Sequence, residues 1–267
     1  MPFVRANGIR LYYRLRGEGP RLLYISGTGG DLRLHPNPLD YPLARGVTML
    51  AYDQRGLGQS EKPDRPYSMA DYADDAAGLM AALGWERCLV VGYSFGGMVA
   101  QELALRHPRR VERLVLMSTT SGGTGGSSYP LHELAGLPPD QRARRAVELA
   151  DLRRDAGWQK EHPDEFRRLV EQTLAAMSLG ADEPGHQAGA KRQLEARRSH
   201  DTYQRLGGLR LPVLVAAGRY DGIAPLEHQK ALQEAIPGAR LMIFEGGHQF
   251  FLQDPAAFGQ IRDFLLA

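Results

Sequence analysis

Six short apolar runs, separated by segments with helical patterning, set the tightest limit on how this chain folds. They are Leu22 to Ile25, Val47 to Tyr52, Leu89 to Val91, Leu114 to Met117, Val213 to Ala217 and Leu241 to Phe244. Continuous apolarity over this length suits strands covered on both faces, and strand–helix alternation marks a largely parallel sheet. Ahead of them, Ile9 to Leu15 follows a turn at Asn7-Gly8 and reads as an antiparallel hairpin segment at the sheet edge. The expected class is therefore α/β, with a mostly parallel central sheet of about eight strands flanked by helices.

Helix punctuation falls between the runs. Ser68 stands where a cap residue should, with Asp71 at the capping-box position, and the pattern continues to Leu83 before Gly84 ends it. Phe95 to Arg106 reads as a helix stopped by His107-Pro108. Pro225 to Ala235 and Pro255 to Leu266 each open with proline at a first helical position.

The alternation fails between Ser121 and about Leu206. The glycine- and serine-rich stretch Ser121 to Ser128 reads as a flexible connection. Beyond it only helical patterns occur, over Pro139 to Leu152, Pro163 to Met177 and Ala188 to Tyr203. This division predicts a core of residues 1–120 and 207–267, with a helical cap of residues 121–206 inserted after the sixth strand. A cap entered through glycines should be mobile, and the core should hold its geometry without it.

Composition excludes several classes. The net charge of +2 is too small to point to nucleic acid, and the arginine clusters at Arg142–Arg154 and Lys191–Arg198 read as solvated helix faces. The single cysteine, Cys88, forbids an intrachain disulfide and fits a buried strand position in a reducing compartment. Residues Met1 to Arg10 lack the apolar core of a secretory signal, and no stretch approaches the roughly 18 apolar residues of a membrane helix. A cytoplasmic protein without membrane or nucleic-acid partners is expected; a homodimer is left open.

The strongest chemical signal is Gly92-Tyr93-Ser94-Phe95-Gly96, a G-x-S-x-G sequence between an apolar strand and a helix. A serine attacks well only when exposed beside a base. A sharp strand-to-helix turn presents it, and the helix start adds positive potential near developing charge. Eight histidines compete for the base. His248 follows the last strand through Gly246-Gly247, at the strand end where ligand sites gather in such sheets. His35 is its nearest rival, while His107 reads as a helix end and His200 as a cap or core residue. The acid chosen on the same logic is Asp221, just past Val213 to Ala217, whose task is to orient the imidazole. Asp53 precedes the serine and reads as a turn builder, and Ser118-Thr119-Thr120 leaves no carboxylate after the preceding strand. An oxyanion hole needs two amides. Phe95 supplies one, and the loop Ser26 to Gly30 supplies the other, with Thr28 the candidate.

Together these residues resemble the α/β-hydrolase superfamily, specifically the small cap-bearing group of esterases, enol-lactonases and metal-free haloperoxidase-like enzymes. The resemblance spans nearly the whole chain, and Asp53-Gln54-Arg55-Gly56-Leu57-Gly58-Gln59-Ser60 looks like the family's D-x-R-G-x-G-x-S turn. It implies Ser94, Asp221 and His248 as catalytic residues, and the amides of Thr28 and Phe95 as oxyanion hole. Ser26-Gly27 stands where many members carry His-Gly. No cofactor and no metal are implied. The expected substrate is a small carboxylic ester or lactone. The alternatives are a 3-oxoadipate enol-lactonase-like activity, a carbon–carbon bond hydrolase, or a non-catalytic binder of a small ligand. Met177, Trp158 and Tyr129 are candidates for an apolar pocket wall.

Overall fold

The computed structural model describes residues 2–267. Eight strands form one sheet in the order β1-β2-β4-β3-β5-β6-β7-β8. They are β1 (Phe3–Ala6), β2 (Ile9–Arg16), β3 (Arg21–Ile25), β4 (Thr48–Tyr52), β5 (Cys88–Tyr93), β6 (Val111–Met117), β7 (Val213–Gly218) and β8 (Arg240–Phe244). β2 runs antiparallel to β1 and β4, and every other pairing is parallel, with Leu23 opposite Val90 and Val91 opposite Val115. The expected class and strand number match the structure.

Strand alternation sorts the apolar side chains onto two faces. On one, Leu23, Ile25, Leu50, Val90, Leu114, Leu116 and Val215 pack against α1 (Met69–Ala82), α2 (Phe95–Arg106) and α7 (Leu226–Ala235). On the other, Leu22, Tyr24, Met49, Val91, Val115, Met117 and Leu214 pack against α8 (Ala257–Leu266). Among the parallel strands β8 is the least buried: it is an edge strand, and Ile243 is exposed. The predicted capping box at the start of α1 forms, with the Asp71 amide donating to Ser68 Oγ and Ser68 N to Asp71 Oδ2.

Between β6 and β7 the chain contains only helices: α3 (Pro139–Ala150), α4 (Ala156–Glu161), α5 (Pro163–Ser178) and α6 (His186–Arg198), besides short 3-10 turns. Ala143, Val147, Phe166 and Val170 give this segment a small core of its own. Helix α4 was not foreseen, because six residues are too few to show a helical period; Asp155 caps it by accepting from the Trp158 amide. No described helix is long and apolar enough to cross a membrane.

The glycine- and serine-rich entry is anchored at its first two residues. Ser121 is fully buried, the Thr202 amide donates to its carbonyl, and Gly122 pairs with Asp201 in an isolated bridge. A side chain on Gly122 would meet the His200 carbonyl oxygen at 1.9 Å. Glycine is needed there for close backbone approach and a positive φ of 70°, not for looseness.

Candidate active site

Ser94 sits between β5 and α2 at φ 54° and ψ −117°, a backbone conformation that costs a non-glycine residue about 1–3 kcal/mol. The surroundings hold it there. Its amide donates to the Met117 carbonyl at 2.8 Å, and Thr119 Oγ1 donates to its carbonyl at 2.8 Å. The flanking glycines are sterically required: a side chain on Gly96 would meet the Ile25 carbonyl oxygen at 2.0 Å, and one on Gly92 the Gly96 oxygen at 2.4 Å. The turn thus aims Oγ at the C-terminal edge of the sheet while β3 closes behind it.

At that edge the structure brings together the three residues chosen from chain order. His248 Nε2 lies 2.9 Å from Ser94 Oγ, and Nδ1 lies 2.8 Å from Asp221 Oδ2. With the carboxylate facing Nδ1, the neutral ring carries its proton there, leaving Nε2 to accept from the serine hydroxyl. Asp221 is itself fixed, because Oδ1 accepts from the amides of Ile223 and Ala224, both at 2.8 Å. All three side chains are buried. Ser118 Oγ donates to the His248 carbonyl at 2.8 Å, so the serine–threonine segment after β6 braces the site although it offers no acid.

The rival residues sit elsewhere. His35 is largely exposed and bonded to Asp40. His107 bonds Asp74. Asp53 is buried in its turn, accepting from the amides of Leu32 and Gln59, and burial pushes its carboxyl up to about 6.

The loop after β3 runs alongside the nucleophile: a side chain on Gly27 would come within 3.3 Å of Ser94 Cβ. Among the described residues neither the Thr28 nor the Phe95 amide donates to a protein acceptor, whereas neighbouring Gly29 N donates to Gln193 Oε1 at 2.9 Å. Two unengaged amides beside a serine hydroxyl are what a developing oxyanion requires. Gln193 belongs to α6, and nothing in its local sequence marks it as a support for a loop 164 residues away.

A cavity of about 530 Å³ opens onto these groups, lined by Thr28, Tyr93 and His248 on the sheet side and by Val147, Leu169 and Met177 on the inserted helices. Of the three wall candidates, only Met177 lines it. Trp158 stacks on His162, and Tyr129 packs with Leu134 and Ile223. The inserted segment also braces the site directly. The His248 amide donates to the Ala150 carbonyl at 2.6 Å, Gly222 N to Leu149 O at 3.0 Å, and Leu152 N to Tyr220 O at 2.9 Å. The end of α3 thus supplies acceptors to both the histidine and the acid loops, contacts that the division into core and cap did not foresee.

Known proteins align with this arrangement along its length. The chain is 31% identical over 261 residues to a putative carbamate hydrolase, RutD, of Variovorax paradoxus, covering 96% of each chain. It is 32% identical over 278 residues to the 2-hydroxymuconate semialdehyde hydrolase of Pseudomonas putida, covering 99% of this chain and 93% of that one. Among solved structures, the enol-lactonase of Burkholderia xenovorans LB400 superposes with a TM-score of 0.80 at 24% identity, over all of both chains, a likeness of fold. The family model described as alpha/beta hydrolase fold matches residues 20–255. With the sheet order, the elbow and these relatives in agreement, the chain belongs to the alpha/beta hydrolase fold family and is a hydrolase.

Proposed function

We propose that this protein is a serine hydrolase that cleaves a small carboxylic ester or lactone through an acyl-enzyme on Ser94. The observation that carries the reading is the unbroken relay from Ser94 Oγ to His248 Nε2 at 2.9 Å and from Nδ1 to Asp221 at 2.8 Å. In this scheme Oγ attacks the carbonyl carbon as its proton passes to Nε2, and Asp221 stabilises the imidazolium. The Thr28 and Phe95 amides receive the negative charge on the carbonyl oxygen. Collapse returns the proton to the departing alkoxide oxygen. Water, deprotonated by His248, then attacks the acyl carbon and restores the serine. The core of residues 1–120 and 207–267 supplies this machinery, while the inserted helices of residues 121–206 serve as the cap that shapes the pocket and excludes water.

The likeness to the 2-hydroxymuconate semialdehyde hydrolase supports a second reading, a carbon–carbon bond hydrolase using the same residues. A fluorophosphonate distinguishes a serine enzyme from a mere binder. The expected result is a single adduct on the Ser94 peptide, with loss of p-nitrophenyl acetate turnover by several orders of magnitude in Ser94→Ala. Near-normal turnover in folded Ser94→Ala protein would falsify the assignment.

A further inference from the structure

Beside the nucleophile helix lies a second, smaller cavity of about 170 Å³, lined by Met98, Thr120, Ser127, Ser128, Arg197 and His200 among others. Arg197 is unusual within it. The side chain is buried, with 6% of the residue exposed, yet no carboxylate of the described residues lies within salt-bridge reach. Its Nη1 donates to the Tyr129 carbonyl at 2.8 Å, while Nε and Nη2 have no partner. Burial lowers its pKa to about 10 with no nearby anion to oppose the shift. Arg55, which is equally deep, shows the usual solution: it is gripped by Asp75 and touches Asp71. An isolated buried guanidinium is costly, and proteins ordinarily pair it.

The neighbours of Arg197 extend the pattern. His200 is buried beside the Thr120 backbone without a well-formed hydrogen bond at either ring nitrogen, and burial pushes its pKa down to about 3, so the neutral ring has a single N–H, for which the Thr120 carbonyl competes. Thr120 Oγ1 is also buried without a partner. The unpartnered edge of Arg197, Nε with Nη2, is the side of a guanidinium that receives a carboxylate through two parallel hydrogen bonds. The surroundings therefore offer several donors and no protein anion.

We propose that Arg197, His200 and Thr120 form a carboxylate-binding subsite beside the nucleophile helix, and that it receives the carboxylate of an acidic ester or lactone. This deepens the reading of Ser94 as a hydrolase nucleophile and rests on it. Two placements support a substrate's carboxylate over a stray anion. Met98 lies one helical turn beyond Ser94 on α2, and Thr119, next to Thr120, holds the Ser94 carbonyl. A neighbouring cavity of about 610 Å³ shares His132 and Arg198 with this one and adds Arg142 and Lys191, against the single acid Glu195. Such a wall draws anions inward. The carboxylate stays ionised and the guanidinium protonated; no bond is made or broken at the subsite.

The test compares p-nitrophenyl hydrogen adipate with p-nitrophenyl hexanoate on wild type, Arg197→Gln and Arg197→Lys, alongside calorimetric titration of free adipate. Wild type should prefer the acidic ester. In Arg197→Gln the kcat/KM ratio of acidic to neutral ester should fall at least tenfold, mainly through KM, with partial recovery in Arg197→Lys. Adipate should bind wild type and Ser94→Ala alike and bind Arg197→Gln at least tenfold more weakly. A role for Arg197 confined to holding the Tyr129 loop would change stability and leave that ratio unmoved, which overturns the proposal. Adipate binding that depends on Arg197 while the ester ratio stays constant would assign the pocket to a free acid and also overturn it. If neither ester turns over, the hydrolase reading fails, yet the adipate titration still judges the anion site.

Discussion

Only one oxygen of Asp221 is held by backbone amides, and this makes Asp221→Asn a test of the proposed relay. Oδ1 accepts from the Ile223 and Ala224 amides and lies 3.0 Å from His248 Nδ1, while Oδ2 lies 2.8 Å from Nδ1. An asparagine must keep its oxygen toward the two backbone donors, because turning it would set an NH₂ group against two N–H groups. The amide NH₂ then takes the place of Oδ2, the oxygen nearer to Nδ1, and favours the histidine proton on Nε2. In that tautomer Nε2 cannot accept from Ser94, and acylation should slow about 10⁴-fold, equivalent to about 5.5 kcal/mol of barrier. Stability should hardly change, since both amide bonds to position 221 survive. Asp221→Ala separates the two effects. It leaves two buried N–H groups without acceptors, at about 1–3 kcal/mol each. For 267 residues the unfolding entropy corresponds to about 0.56 kcal/mol per degree, so this variant should melt about 4–11 °C lower. Scanning calorimetry and p-nitrophenyl acetate turnover on the same preparations check both halves. An Asn variant retaining more than a tenth of wild-type kcat, or melting as low as the Ala variant, refutes the reasoning.

Two further predictions concern the turn behind the oxyanion loop. Arg55 grips Asp75 through two bonds of 2.6 Å with both side chains buried, and burial raises the Asp75 pKa in spite of that partner. Asp75→Ala should therefore cost about 3–5 kcal/mol, or about 5–9 °C in Tm, by stranding the guanidinium, whereas Arg55→Leu with Asp75→Leu should recover most of the loss. A double variant as unstable as the single one in urea melts would contradict this account. The second concerns Asp53, whose carboxyl is raised by burial to about 6. Between pH 4 and pH 6 the folded chain keeps a proton that the unfolded chain, titrating near 3.9, has released, so this group's contribution to stability falls as pH rises through that window. The total is roughly 3 kcal/mol. Asp53→Asn does not titrate, so its stability relative to wild type should improve by about that amount from pH 4 to pH 7. Parallel pH profiles would show that Asp53 stays ionised.

Much of the fold and the candidate site was legible because the signals are local or ordered along the chain. Apolar runs at Leu22, Leu89 and Leu114 are strands because only a fully covered strand is apolar on both faces. Ser94 announces itself because glycines, strand and helix lie within a few residues of it. Asp221 and His248 follow from where their loops leave the sheet, since parallel strands deliver every such loop to one edge. Tertiary structure alone decided what surrounds them. Gln193 holds the loop at Gly29, Ala150 holds the backbone of His248, and Arg197 is buried without an acid, although its sequence neighbours Arg192 and Arg198 are ordinary charged positions on a helix. Gly122 and Gly123, read as part of a flexible connection, lie too close to His200 and Asp201 for a side chain. Local propensity depends on a residue and its near neighbours. These contacts join segments from about 80 to more than 160 residues apart, and what a buried polar atom meets there depends on which elements the fold has stacked above it.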